Sequence, residues 1–435
     1  LSSGLSALVA VSAVALAGAH ALLDPPRALA CGGCFAPTGT PNIVTAHRMA
    51  VAMGTRETTL WDQIRYAGSP EEFAWVLPVA PGTRVELADN AFFEALDRQT
   101  RITMTAPFPP LPCFGDAGGF GCGSSGDAAS RVGGAPSSPW DAGVTVMHEA
   151  VIGPYETVTI SGDDARNLVT WLRGRGYAVP DEITPTIMHY VGMGMAFAAL
   201  RLRPGVGVQQ MQPVRVTQPG LGTTFPLRMV AAGATAELTL ELYVFAESRS
   251  ETKNVATVEV PRGEVTYDWD TGAFDYDARF REAITRGGGN AWVAEYADYL
   301  PYEARSYVSY DPVTGSPSFP TDDFAIVDRA VGEVAFLTKL RTELSPNLLD
   351  RDLILGAAAT DAILPASFSV TRERNRPLSC EEMRALERQA NFEGCAITRR
   401  RGTHGRDRHL VLGALLVGAP ALALALRVLA RRRRR

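Results

Sequence analysis

Apolar residues in this chain form one long run near each end and, between them, many short segments whose period keeps changing. Ile43 to Met53 and Glu57 to Tyr66 read as extended segments around the turn Gly54-Thr55-Arg56, which predicts a hairpin. The alternation Leu60, Asp62, Ile64, Tyr66 is imperfect. Phe73 to Val79 predicts a third strand, and Pro78 and Pro81 place it near a sheet edge or a strand end. Arg84 to Leu87 continues extended, and Asp89-Asn90 can cap a helix whose apolar face is Phe92, Phe93 and Leu96.

Val144 to Ala150 and Tyr155 to Ile160 predict two more strands. Asp163-Asp164 caps a helix bearing Leu168, Val169, Trp171 and Leu172, which ends near Gly174 to Gly176; Pro180 opens another through Ile183, Ile187 and Tyr190. Phe197 to Leu202, Val214 to Thr217, Leu227 to Val230 and Leu238 to Phe245 read as four strands separated by Pro/Gly turns. A helical stretch, Asp277 to Thr285, meets Gly287-Gly288-Gly289; Trp292 to Tyr296 resumes as a strand, and Arg329 to Leu340 becomes extended at its end. Strands and short helices mixed without regular alternation predict an α+β fold: a β-rich body of antiparallel strands with a few short helices.

The terminal runs change the picture from a soluble body to an exported one. Leu5 to Leu23 is almost wholly apolar and is followed by Asp24-Pro25-Pro26-Arg27 and the small residues Ala28 and Ala30, the order of a secretory signal, 1–30, cleaved between Ala30 and Cys31. No Lys or Arg precedes the run, so an uncleaved membrane helix and a lipoprotein signal ending at Cys31 remain as alternatives. Leu410 to Leu426 is uninterrupted and apolar; a span over 410–430 covers the ~30 Å hydrocarbon core. Arg431, Arg432, Arg433, Arg434 and Arg435 would stop transfer and stay in the cytoplasm as the tail 431–435. The expected product is a single-pass protein of the cell membrane with its body on the extracytoplasmic side.

Between these signals the expected parts are 31–113, β-rich; 114–143, a Gly/Ser-rich flexible insertion; 144–350, the main α+β part; and 351–409, a membrane-proximal segment. The net charge is −5, and removing the six tail arginines at 427 and 431–435 leaves about −11 for the exported part, which argues against nucleic acid as a partner. Six cysteines form three sequence-local pairs, Cys31 with Cys34, Cys113 with Cys122 and Cys380 with Cys395, in a compartment that permits disulfides. Cys31-Gly-Gly-Cys34 also suits a redox pair or half of a metal site. The first wants a helix after it, where Phe35-Ala36-Pro37 stands, and the second wants two further ligands.

Candidate chemistry is thin. Met188-His189 with Met193 and Met195 offers soft ligands for copper(I), although the same residues suit a packed helix end. His47 and His148 fall within strands, and no Gly-x-Ser-x-Gly elbow or His-Glu-x-x-His zinc motif accompanies them; His148-Glu149 and His189 are the residues a hydrolase or metal-dependent enzyme would use. Asp62, Glu71, Glu72, Asp163, Asp164, Asp322 and Asp323 could make a carboxylate pair or, at Asp322-Asp323, a calcium site; turn-capping and solvated positions account for them more cheaply. Trp61 and Trp75 read as core packing, with a ligand-stacking surface as the alternative. No cofactor is expected. A non-enzymatic ectodomain that binds an envelope protein or ligand is the favoured function, and an envelope hydrolase or metal enzyme the alternative.

Several segments carry a resemblance. Cys31-Gly-Gly, the stretch Thr58 to Val79 with its Trp-Val-Leu-Pro, Ile152 to Pro180 with Trp-Leu-Arg-Gly-Arg-Gly-Tyr, the run from Phe197 to Glu247, and Phe336 to Pro346 resemble the bacterial family DUF2330 over roughly 31–350. The insertion, Cys34 and Met193-Gly-Met195 depart from that pattern. The resemblance implies export and, often, a membrane anchor; it implies no activity.

Overall fold

The computed structural model describes residues 34–35, 43–67, 73–109, 144–177, 179, 183–232, 237–310, 315–379 and 381–386. Its first hairpin turns at Gly54 because nothing larger fits: a Cβ there would lie 2.6 Å from the Glu57 carbonyl oxygen and 2.8 Å from that of Ala330. The turn joins β2 (Ile43–Met53) to β3 (Glu57–Ala67), paired antiparallel with a bulge between Val44 and Ala46. The pair lies inside a mixed eight-stranded sheet. From one edge this sheet runs β11 (Thr257–Val258), β12 (Trp292–Tyr299), β13 (Phe336–Leu344), β10 (Leu238–Ala246), β2, β3, β9 (Val214–Pro219) and β5 (Arg84–Leu87).

A second, five-stranded sheet runs β1 (Cys34–Phe35), β4 (Ala74–Val79), β8 (Ala196–Leu202), β7 (Tyr155–Ser161) and β6 (Thr145–Ile152). It is antiparallel throughout, as expected. The larger sheet departs from that expectation at two pairs, β2 with β10 and β11 with β12, which are parallel. Long connections allow this, since only a hairpin forces neighbours to run in opposite directions. β1 covers β4 at Ala74 and Trp75, so among the described residues the Pro78 end of β4 is paired on one side alone, where a missing N–H is tolerated.

Two helices cover one face of the larger sheet. α1 (Asn90–Thr100) starts where the Asp89 side chain accepts from Ala91 N, and α7 (Thr321–Val331) follows Pro320. Phe92, Phe93, Leu96, Phe324 and Val327 pack there on Ala50, Ala52, Trp61, Tyr243 and Phe245. On the other face, Trp75, Leu77, Val79, Tyr155, Leu200 and Leu202 of the smaller sheet meet Val214 and Val216, with Leu60 and Ile64 alongside. Farther along that face, Phe280 and Ile284 of α5 (Tyr276–Arg286) pack with Leu240, Leu242, Val244 and Leu340. The outer face of the smaller sheet is covered by α2 (Ala165–Gly174), capped by Asp164, and α3 (Thr184–Gly192). Each such fully buried large side chain contributes roughly 1.5–3 kcal/mol.

Leu227 to Val230, expected as a strand, lies instead in the helix α4 (Leu227–Ala232). Leu227 and Val230 enter the core of the larger sheet while Met229 enters that behind the smaller one, so apolar residues point both ways and erase the helical period. α7 was not anticipated either, and a one-turn helix, α6 (Tyr302–Arg305), precedes it.

The chain divides into two compact units, and both sheets belong to the unit ending at Arg376. Described residues of the other are Phe108, Pro109 and those from Pro377 to Leu386 other than residue 380. Among the described residues no helix is long and apolar enough to cross a membrane. The expected signal 1–30, most of the insertion 114–143, the span 410–430, the tail Arg431 to Arg435, and Cys31, Cys113, Cys122, Cys380 and Cys395 lie outside the described residues.

Candidate ligand cleft

Where β3 begins and β9 ends, the two sheets part around a cleft of about 340 Å³. β2 and β3 supply Val51, Thr58 and Leu60; β4 and the turn after it supply Leu77 through Ala80; the wall closes with Val216, Gln218 and the segment Leu221 to Pro226. Side-chain spacing explains this lining: Val51, Leu60 and Val216 sit on the strand faces turned toward the smaller sheet, as the period of two requires. The loop wall is tied down by Thr58, whose hydroxyl donates to the Gly220 carbonyl at 2.9 Å and accepts from Gly222 N at 2.7 Å. Gly222 lies close against this wall: a Cβ would sit 2.4 Å from Gln218 Nε2, and that flexible side-chain end would have to move.

At the far wall, Tyr190 donates to Asp352 Oδ1 at 2.6 Å, and Asp352 also accepts from Arg228 N at 3.2 Å. Burial, then the bond to Asp352, push the Tyr190 hydroxyl far above the ordinary phenol range, so it stays a donor. Met193 and Met195, at the end of α3, complete the rim. The cleft is therefore mostly apolar with a few fixed polar groups.

Directly behind it lies a void of about 10 Å³, which shares Leu60, Leu77, Phe225 and Pro226 with the cleft. Two polar side chains border this void, His47 and Asp62. His47 Nε2 is 2.7 Å from Asp62 Oδ1, and both side chains are almost wholly buried, at 2% and 3% exposure. Nδ1 of His47 is buried and has no hydrogen-bond partner among the described residues. A second void of similar size lies against Asp62, between Tyr155, Trp75 and Val214.

The opposite face of the same strands is built differently. Asp323 of α7 accepts from Trp61 Nε1 at 2.8 Å, from Asp89 N at 3.0 Å and from Arg215 at 3.0 Å. Phe92 seals this node, its ring centroid 5.0 Å from those of both Trp61 and Phe324. A third buried polar cluster joins Glu295 to Lys339 at 3.4 Å, Arg341 at 3.2 Å and the Tyr276 hydroxyl at 3.2 Å. Both clusters hold elements together and border none of these three spaces.

The residues singled out in the sequence are dispersed. His148 is exposed on β6, and Glu149 lies 3.6 Å from Arg175. His189 is exposed on α3, edge-on to Tyr190, whereas Met193 and Met195 line the cleft. No hydrogen bond joins any two of His47, His148 and His189 among the described residues, and no three His, Cys, Asp or Glu side chains gather there as metal ligands would. Asp163 and Asp164 are exposed, with Asp164 capping α2, and Asp322 is exposed. Asp62 and Asp323 correct the solvated reading, because both are buried and partnered. Glu71 and Glu72 lie outside the described residues. Trp61 and Trp75 are core residues, as expected. The signal that marked Asp62 was the broken alternation of β3: a carboxylate stood at a core-facing position, and His47 lies diagonally across the adjacent strand.

The sequence profile of a bacterial family, described as an uncharacterized protein conserved in bacteria (DUF2330), matches residues 25–355. The chain belongs to DUF2330. The match takes in the hairpin, both sheets and every cleft residue, so the site of this DUF2330 protein lies wholly within the family's shared region. No curated protein and no solved structure matches the chain.

Proposed function

We propose that this DUF2330 protein is an exported binding protein, held at the extracytoplasmic face of the cell membrane by the helix 410–430, and that the cleft holds its ligand. The observation that carries the reading is the cleft: about 340 Å³, walled mainly by aliphatic side chains, with Thr58, Gln218 and the Tyr190–Asp352 pair as fixed polar points. That size and composition match small-ligand sites, typically ~300–1,000 Å³ and apolar with few convergent polar groups. The two terminal apolar runs and the acidic body support the location.

Titration of the purified full chain with the apolar fluorophore aminoanthracene tests the binding role. Saturable binding of one molecule per chain is expected, weakened at least about tenfold by Ala80→Trp, which fills the cleft. Equal affinity in both proteins would overturn the assignment. Protease added to cells stripped of their outer layers tests the location: the body should be digested and only a fragment ending in the arginine tail protected. A fully protected body would place it on the cytoplasmic side.

A further inference from the structure

We infer that the cleft takes a small, largely apolar molecule ending in a hydrogen-bond donor, a hydroxyl in the first place, which His47 Nδ1 accepts. This rests on the cleft being a ligand site. As a carboxylate, Asp62 only accepts, so the short contact at 2.7 Å places the imidazole proton on Nε2. In the tautomer with its proton on Nε2, Nδ1 is the ring's one bare acceptor, and that atom is buried without a partner among the described residues. Buried polar atoms are rarely left so, because each loses its bond to water on folding and regains none.

The space beside the pair is sized for one small group. The void of about 10 Å³ is bounded by His47 and Asp62 and otherwise by apolar or aromatic side chains such as Met49, Trp75 and Val230. A trapped water would have two polar side chains to bond here, the low end of the usual two to four partners. A hydroxyl on an aliphatic body fits better: its proton would go to Nδ1, and its carbon chain would reach the cleft once Leu60, Leu77 and Phe225, which border both spaces, part to admit it. The same geometry sets selectivity. An ether of equal size brings no proton, and a carboxylate would face the charge of Asp62.

The test compares n-octanol with its isomer heptyl methyl ether on the full chain in nanodiscs, with partitioning into empty discs subtracted. Octanol should bind roughly tenfold more tightly, the worth of one buried hydrogen bond. In protein labelled with ¹⁵N-histidine, with His47 assigned through His47→Gln, the bare Nδ1 resonance should move upfield on adding octanol and stay fixed with the ether. In the paired variant His47→Leu/Asp62→Leu the preference should vanish; if that variant does not fold, the wild-type resonance decides. Equal binding of the two isomers, or tighter octanol binding with Nδ1 unmoved, would overturn the donor inference and leave the cleft a ligand site. Binding of neither probe would overturn the cleft reading as well.

Discussion

The two faces of the β2–β3 hairpin bury the same kinds of residue and treat them in opposite ways. On the helix-covered face, Asp323 is surrounded by donors from Trp61, Asp89 and Arg215, and aromatic rings close over the node. On the inter-sheet face, Asp62 lies between two small voids and holds His47, which borders one of them, and one imidazole nitrogen has no partner among the described residues. Burial of a charge does not distinguish them, since both carboxylates are nearly inaccessible. Satisfaction does. A node in which every group is partnered behaves as structure, whereas the unpartnered nitrogen beside a void is where the proposed ligand would bind.

The largest expected effect tests the sealed face. Asp323→Ala leaves Arg215 with Glu86 alone and strands two N–H donors, and should cost about 3–4 kcal/mol in denaturant unfolding. A loss below about 1 kcal/mol would mean the node is not a structural keystone. On the open face, Asp62→Leu alone should cost about 3 kcal/mol by orphaning His47. The pair His47→Leu/Asp62→Leu should come within about 1 kcal/mol of wild type, because apolar groups suit that surrounding. Additive losses in this cycle would show that the pair belongs with Asp323 as structure.

Smaller effects sharpen the contrast in packing. Ala50→Leu, under the helices, should cost about 1–3 kcal/mol by overpacking, whereas Ala80→Leu, on the cleft wall, should stay within about 0.5 kcal/mol. The mildest effect concerns pH. Burial pushes the Asp323 carboxyl above its ordinary range, against the pull of Asp89 N–H, Trp61 and Arg215. The folded state therefore holds that proton more tightly than the unfolded chain. This contribution is full below about pH 4 and fades as pH rises through the raised value. Wild type should thus lose stability relative to Asp323→Asn as pH climbs out of the acid range; a gap moving the other way would give Arg215 the larger part.

Local chemistry made much of this fold legible. The turn at Gly54, the caps at Asp89 and Asp164, and the strand at Leu238 each depend on residues adjacent in sequence, and each forms as expected. α4 was misread because its apolar residues face two cores, and a run of four carries no period. α7 and its Asp323 were missed because the partner that gives this carboxylate its role, Trp61, is 262 positions away. The cleft was illegible for the same reason, since its walls come from β2, β3, β4, β9, α3 and Asp352. Its trace in the sequence was one inward-facing Asp where a strand should have shown a hydrophobe.

Hydrogen exchange on the full chain, with and without saturating n-octanol, compares the two faces in one experiment. Ligand should slow exchange in residues 76–80, 190–195 and 216–226 around the cleft, and leave residues 89–100 and 321–331 of the sealed face unchanged. Protection spread evenly over both faces, or absent from the three cleft segments, would contradict the assignment of the space between the sheets as the binding site.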